Sequence, residues 1–263
     1  MKLLVMYHSG VGNTKLIAEM LNNRLKQSFV TEIMAIEKIQ DKFFLDNYDG
    51  YIIGFPTHHT HPSISIIEFI NSMMTLCKRK PAYIFTTCGW YSANTLRIFA
   101  KICAVKNIIP VLHQSYRCAA TDGTLLVPWI KVLFTFEKNL EKKVEIEAEK
   151  IKDVFNNKQY NVNLPQFKLI SIINYPNKKM GQLITFNIFL HKDNCTKCGK
   201  CIKNCNMNAM KFDEDKYPLF DKGKCEKCYR CIHHCPNKAL SLSRRKVPKK
   251  QLTQDFFDFN KRK

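Results

Sequence analysis

The 263-residue sequence predicts an α/β protein: a doubly wound, parallel, five-stranded sheet followed by a small, cysteine-rich α+β module. Three observations carry this reading. Short apolar runs alternate with helical periods over residues 1–157. A glycine-bearing turn joins the first run to the first helix. Eight of the twelve cysteines fall between residues 195 and 235.

Lys2–Tyr7 is an apolar strand, and Asn13–Lys26 is helical, with Leu16, Ile17, Met20 and Leu21 on one face. Val30–Ile36 alternates as a second strand. Tyr51–Phe55 is a short run of the buried type, followed by a helix around Ser63–Thr75. Ala82–Thr87 is the next strand, Ser92–Val105 the next helix and Ile108–Gln114 the fifth strand. This rhythm implies a parallel sheet covered on both faces. After a polar turn at Ala120–Gly123, a helix is expected over Glu137–Asn156. Its apolar residues Leu140, Val144, Ala148, Ile151 and Phe155 recur at helical spacing and leave a charged, solvated face. Residues 1–157 thus form one domain, 158–191 a linker holding Pro165, Pro176 and Gly181 and free to pack on either neighbour, 192–242 the module, and 243–263 a basic tail with Phe256, Phe257 and Phe259.

The formal charge of +20 is uneven, since residues 192–263 hold 19 Lys/Arg against 8 Asp/Glu. No secretory signal is evident at the N-terminus, and no apolar run approaches the length of a membrane span, so a cytoplasmic location is expected. Cysteine usage outside a secretory context favours metal or redox chemistry over disulfides.

The cysteines form two runs, Cys195-x-x-Cys198-x-x-Cys201-x-x-x-Cys205 and Cys225-x-x-Cys228-x-x-Cys231-x-x-x-Cys235-Pro236. Shifting the sequence by 30 residues lays one run on the other, together with Lys197 on Lys227 and Ile202 on Ile232. Three cysteines two residues apart let one loop wrap three corners of a 4Fe-4S cubane, and the fourth carries its sulfur to the other cluster. One cluster is therefore assigned to Cys195, Cys198, Cys201 and Cys235, and the other to Cys225, Cys228, Cys231 and Cys205. Zinc and a disulfide staple are the competing readings; zinc takes its ligands as two pairs, which leaves the triplets unexplained. With so little apolar core, the module is not expected to be ordered without its clusters. It resembles the two-cluster bacterial-type ferredoxins across all eight ligands, departing at Asn206, where that family usually has proline.

The first strand runs into Ser9-Gly10-Val11-Gly12-Asn13-Thr14, an anion cradle in which two glycines open the backbone, hydroxyls flank it and a helix N-terminus follows. The competing reading is simple helix capping. The loop resembles the flavodoxin phosphate loop, with Val11 in place of a hydroxyl residue, and the resemblance implies FMN and a flavodoxin-like sheet. It further implies that the ring is held by loops after the third and fourth strands, here Pro56, Thr57, His58 and His59, and Thr87, Cys88, Gly89, Trp90, Tyr91 and Ser92. Trp90 and Tyr91 are the aromatic candidates to flank the ring, the alternative being packing on the sheet edge. Cys88 reads as a small loop residue, and Cys77, Cys103 and Cys118 as buried thiols. A metal at His58, His59 and His61 is the weaker alternative to flavin contact. Because these loops lack Asp and Glu, histidine charge is expected to make the FMN couple less negative than in acidic flavodoxins.

As a whole the chain resembles the flavodoxin–ferredoxin fusion proteins of anaerobic bacteria, which implies electron transfer between FMN and two 4Fe-4S clusters. An acidic redox partner, such as a ferredoxin, flavodoxin or oxidoreductase, suits the basic charge. The contrasting reading is a nucleic-acid-binding or redox-sensing module that uses the basic tail and its phenylalanines. No Gly-x-Gly-x-x-Gly nicotinamide loop is present, and the histidine loop is the one candidate acid/base group for the alternative of a flavin- and iron–sulfur-dependent oxidoreductase acting on a small substrate.

Overall fold

The computed structural model describes residues 1–40, 43–130, 132, 135–158, 160–169, 171 and 187–257. The strands β1 (Lys2–Tyr7), β2 (Val30–Ala35), β3 (Gly50–His58), β5 (Lys80–Cys88) and β6 (Ile108–Arg117) form a parallel sheet in the order β2-β1-β3-β5-β6. The two-residue β4 (His61–Pro62) turns back antiparallel onto the end of β3. With β4 set aside, this is the 2-1-3-4-5 order of flavodoxin-like sheets.

Alternation along each strand sends side chains to two cores. Leu4, Met6, Ile53 and Ile84 face α2 (Ile64–Ser72) and α3 (Thr95–Val105), where Ile66, Ile70, Phe99 and Cys103 are buried. Leu3, Val5, Ile52 and Phe85 face α1 (Asn13–Leu25) and α5 (Leu140–Asn157). The expected face of α5, Leu140, Val144, Ala148, Ile151 and Phe155, is buried throughout.

Two local expectations are corrected. Thr121–Leu126 is a short helix, α4, rather than a polar turn, because Thr124 Oγ1 donates to Ala120 O at 2.7 Å and Asp122 Oδ1 accepts from Gly123 N. Cys77 is exposed, in the connection between α2 and β5, whereas Cys103 and Cys118 are buried. Of the segment read as linker, residues 160–169 pack along the sheet domain, with Asn163 N bonded to Pro110 O and Arg97 to Pro165 O, both at 2.8 Å. Pro176, Gly181 and Phe259 lie outside the described residues.

The module begins at β7 (Phe189–Leu190), which pairs antiparallel with β10 (Leu240–Ser241). Between them lie a hairpin, β8 (Met210–Phe212) with β9 (Pro218–Phe220), and two one-turn helices, Lys200–Lys203 and Arg230–His233. These helices repeat at the same 30-residue offset as the cysteines. A small apolar core of Met210, Tyr229, Ile232 and Leu240 includes Leu125 from α4, so the two domains share packing. The start of the tail also docks: Gln251 Nε2 donates to Ile232 O and Cys235 O, and Leu252 is 2% exposed. Among the described residues, no helix is long and apolar enough to cross a membrane.

Candidate functional site

The carboxyl ends of β1, β3, β5 and β6 open on a cleft with about 560 Å³ of free space, counted to its open mouth. Twelve of the residues expected from the loops line it: Ser9, Gly10, Val11, Asn13, Thr14, Pro56, Thr57, His58, His59, Thr87, Cys88 and Gly89. Ala119, Ala120, Thr121 and Asp122 close one side, and Lys227 and Tyr229 reach in from the module.

The phosphate-loop end is shaped by Gly12 at φ 150°, where an added Cβ would lie 2.6 Å from the Phe257 ring. Thr14 Oγ1 and Thr87 Oγ1 are 2.8 Å apart, which ties the loop to β5, and Asn13 Nδ2 donates to Ala119 O at 2.8 Å. The apolar Val11 is explained by its neighbours. Its side chain packs with Ala119, Leu252, Phe256 and Phe257 of the tail, and its carbonyl accepts from His234 Nε2 at 3.2 Å.

The residues present fit a phosphorylated flavin. Ser9 Oγ, Asn13 Oδ1, His58 Nε2 and Tyr229 Oη are buried with no hydrogen-bond partner among the described residues. Native interiors leave few such atoms, so four around one cleft mark a polar ligand. The N-terminus of α1 adds its dipole, with no acidic residue in its first turn.

The histidine loop is a two-residue hairpin whose corner residues, His59 and Thr60, take φ 46° and 65°. Burial pushes the His58 imidazole down to about 4 and also lowers His59, so both are neutral at pH 7. The expected histidine charge is therefore corrected. The cation at the cleft is Lys227, with Asp122 as its acidic counterpart.

Trp90, Tyr91 and Ser92 do not line the cleft, and Gly12 lines the neighbouring opening with Glu37, Arg230 and Phe257. An added Cβ at Gly89 would be 2.5 Å from Ala120 Cβ, and Cys88 O accepts from Cys118 N at 2.8 Å, so the chain turns away before residue 90. Trp90 is 73% exposed, the Tyr91 ring carries Lys168 Nζ at 5.1 Å, and Ser92 is buried at the approach to α3.

The module sits directly on the phosphate loop. An added Cβ on Gly10 would be 3.3 Å from Cys228 Cβ. Cys205 lies close enough to Cys225 and Cys231, and Cys235 to Cys201, to act on one another electrostatically. Cys231 is also acted on by Cys201, which the expected grouping assigns to the other cluster. Among the described residues, no three His, Cys, Asp or Glu side chains converge on a single-ion site. Cys228 faces the sheet domain, whereas Cys198 is exposed.

A polar network fixes this seating, and sequence reasoning missed most of its members. His8, fully buried at the end of β1, places Nδ1 2.7 Å from Glu37 Oε1 and Nε2 3.2 Å from Glu226 Oε1. With a carboxylate at each nitrogen, the imidazole must carry both protons. Burial works to lower its pKa, but the hydrogen bonds it donates to Glu226 and Glu37, together with their charges, outweigh burial and raise it. Burial works to raise the Glu226 carboxyl, yet the His8 hydrogen bond and charge hold it down at about 2. Ser65 N and Oγ, at the start of α2, donate to its other oxygen at 3.2 and 2.9 Å. Arg230 donates to the Ser9 and Gly10 carbonyls and, at 2.8 Å, to Asn206 Oδ1, while Asn206 Nδ2 donates to Glu37. The one visible signal was Asn206 in place of proline: it joins the clamp between the domains.

The flavodoxin-domain family matches residues 4–115, and the 4Fe-4S dicluster domain family matches residues 194–252. Among solved structures, a flavodoxin from the domain Archaea is 19% identical over 58% of this chain and 99% of its own, with a TM-score of 0.41. Oxidised flavodoxin 1 from Bacillus cereus is 17% identical over 58% of this chain and 98% of its own, with a TM-score of 0.44. Rubredoxin oxygen:oxidoreductase from the anaerobe Desulfovibrio gigas is 15% identical over 61% of this chain and 37% of its own, also at 0.44. No curated protein matches the chain. The chain is a flavodoxin domain fused to a 4Fe-4S dicluster domain, and these domains imply FMN and 4Fe-4S clusters as its cofactors.

Proposed function

We propose that the chain relays single electrons between the clusters of its C-terminal module and the flavin of its N-terminal domain, exchanging them with an acidic redox partner such as a ferredoxin, flavodoxin or oxidoreductase. The observation that supports this most is the seating of the Cys225–Cys231 loop on the cleft, with Cys228 against Gly10. When bound, the clusters supply one-electron steps and the flavin connects these to two-electron chemistry.

The chain's own residues divide the task. Cys225, Cys228, Cys231 and Cys205 hold the inner cluster, and Cys195, Cys198, Cys201 and Cys235 the outer one. Ser9, Gly10, Gly12, Asn13 and Thr14 cradle the phosphate, and Thr57, His58, Thr87 and Gly89 border the ring. Neutral His58 and His59 leave the local charge to Lys227 and Asp122. His8, Glu37, Glu226, Asn206 and Arg230 keep the module in place. Lys197, Lys200 and Lys203 surround the outer cysteine run and suit an acidic partner. Of the stacking groups the nucleic-acid reading calls on, Phe256 lies 5.7 Å from Phe136 and 5.2 Å from Phe257, so both described rings are engaged within the chain, and Phe259 lies outside the described residues.

Anaerobic purification with iron, sulfide and flavin quantified tests this. Two cubanes and one flavin give about eight iron per FMN. Both chromophores should bleach on stepwise reduction and recover on addition of an oxidised acidic acceptor. Zinc in place of iron would falsify the reading.

A further inference from the structure

The two halves of the module match at the 30-residue offset down to backbone handedness. Lys197 and Lys227 take φ 55° and 61°, and Asn208 and Lys238 take 49° and 53°. Gly199 and Tyr229 form one more such pair, at φ 70° and 58°. Glycine enters this left-handed region freely, whereas a bulky aromatic residue there is an outlier. Such strain persists only where the surroundings enforce it, and it gathers at functional sites.

What separates the two positions is what each faces. Gly199 lies beneath the Phe212 ring of the module's own hairpin, where an added Cβ would meet Phe212 Cζ at 3.0 Å. Tyr229 lines the flavin cleft. It is 4% exposed, and its hydroxyl has no hydrogen-bond partner among the described residues. A phenol serving only as core filler would gain nothing from this desolvated oxygen, and phenylalanine would serve better.

We propose that Tyr229 is a flavin-positioning residue, supplied by the cluster domain to the flavodoxin domain's cofactor, with its hydroxyl bonding the flavin. The FMN site is then complete only when the Cys225–Cys231 loop is folded, and flavin affinity depends on the iron. This rests on the FMN reading of the cleft.

The test uses the full chain, purified anaerobically with clusters intact, stripped of FMN and titrated with FMN. Tyr229→Phe keeps the ring and the backbone and removes one oxygen. Its FMN Kd should rise about tenfold, the equivalent of about 1.4 kcal/mol, with iron content unchanged and the absorption envelope of bound flavin shifted. Wild-type protein whose iron has been chelated should lose at least as much affinity, because its loop has no cluster to fold around. An unchanged Kd and spectrum in Tyr229→Phe overturns the proposal, as does tight FMN binding by the chelated chain. Loss of iron in Tyr229→Phe also overturns it, since the phenol would then serve the module's core. If wild-type protein takes up no FMN at all, the cofactor reading fails instead.

Discussion

His8 Nε2 lies 3.2 Å from Glu226 Oε1, joining the end of the first strand to the residue that follows Cys225, 218 positions along the chain. Both side chains are essentially buried, at 0% and 2% exposure. A buried pair is weak evidence for net stability, but removing one partner strands the other.

Replacing His8 with leucine leaves the Glu226 carboxylate buried without its cation. The expected loss is about 3–5 kcal/mol, read as a lower thermal midpoint and faster proteolysis between the domains. Glu226→Gln in the His8→Leu background should recover part of that loss. A double variant no more stable than His8→Leu would contradict the pairing.

The same pair sets a pH dependence. The folded His8 pKa is raised, so its contribution is full below the unfolded value of about 6.5 and is lost as pH rises through the folded pKa. Glu226 is depressed to about 2, so its contribution is present above about 4.5 and is lost as pH falls towards 2. His58, pushed down to about 4, acts in the opposite sense to His8. Below about 6.5 the unfolded chain takes up a proton that the folded imidazole refuses, which costs stability on the acid side. Thermal midpoints should therefore peak near pH 6.5, and the alkaline decline should flatten in His8→Gln. A wild-type midpoint still rising from pH 7 to 9 would rule this out.

Much of the scaffold was readable because burial leaves a periodic mark. The apolar runs of β1, β3 and β5, the recurrence from Leu140 to Phe155 and the paired cysteine runs each repeat at the spacing of the structure they build. Contacts between distant segments leave no such mark. Nothing local in Glu37, Glu226 or Arg230 announces a shared clamp, and Gln251 and Leu252 look like ordinary tail residues. Trp90 followed a glycine at the expected strand end, yet the closeness of Gly89 to Ala120 turns it outward. The histidine hairpin misled in charge rather than place, because burial decides protonation and a sequence does not display burial.

Lys227 and Asp122 set the charge at the cleft while the histidines are neutral. Lys227→Gln should move the FMN midpoint to more negative values, because a nearby cation favours the more negatively charged reduced form, and Asp122→Asn should move it the other way. Potentiometric titration of each variant checks the signs. Shifts of the same sign in both would show that neither acts through its charge.

The start of the tail packs on the Ser9–Thr14 loop through Val11. Leu252 is 2% exposed and packs with Val11 and Ala119, so Leu252→Ala should cost about 2–4 kcal/mol and speed FMN dissociation. Stopped-flow release of the fluorescent flavin measures the second effect. Equal release rates in the variant and the wild type would detach the tail from the phosphate loop.

The inner cysteine loop rests against the cleft within a single chain, and the proposed transfer depends on that contact. The most direct measurement is the rate at which the flavin bleaches after the clusters are flash-reduced, followed over a wide range of protein concentrations. The rate should be independent of concentration in wild-type protein and should fall in Arg230→Ala, which loses the bonds to the Ser9 and Gly10 carbonyls. A rate proportional to protein concentration, indifferent to Arg230, would mean that electrons pass between chains and that the observed seating does not serve the transfer.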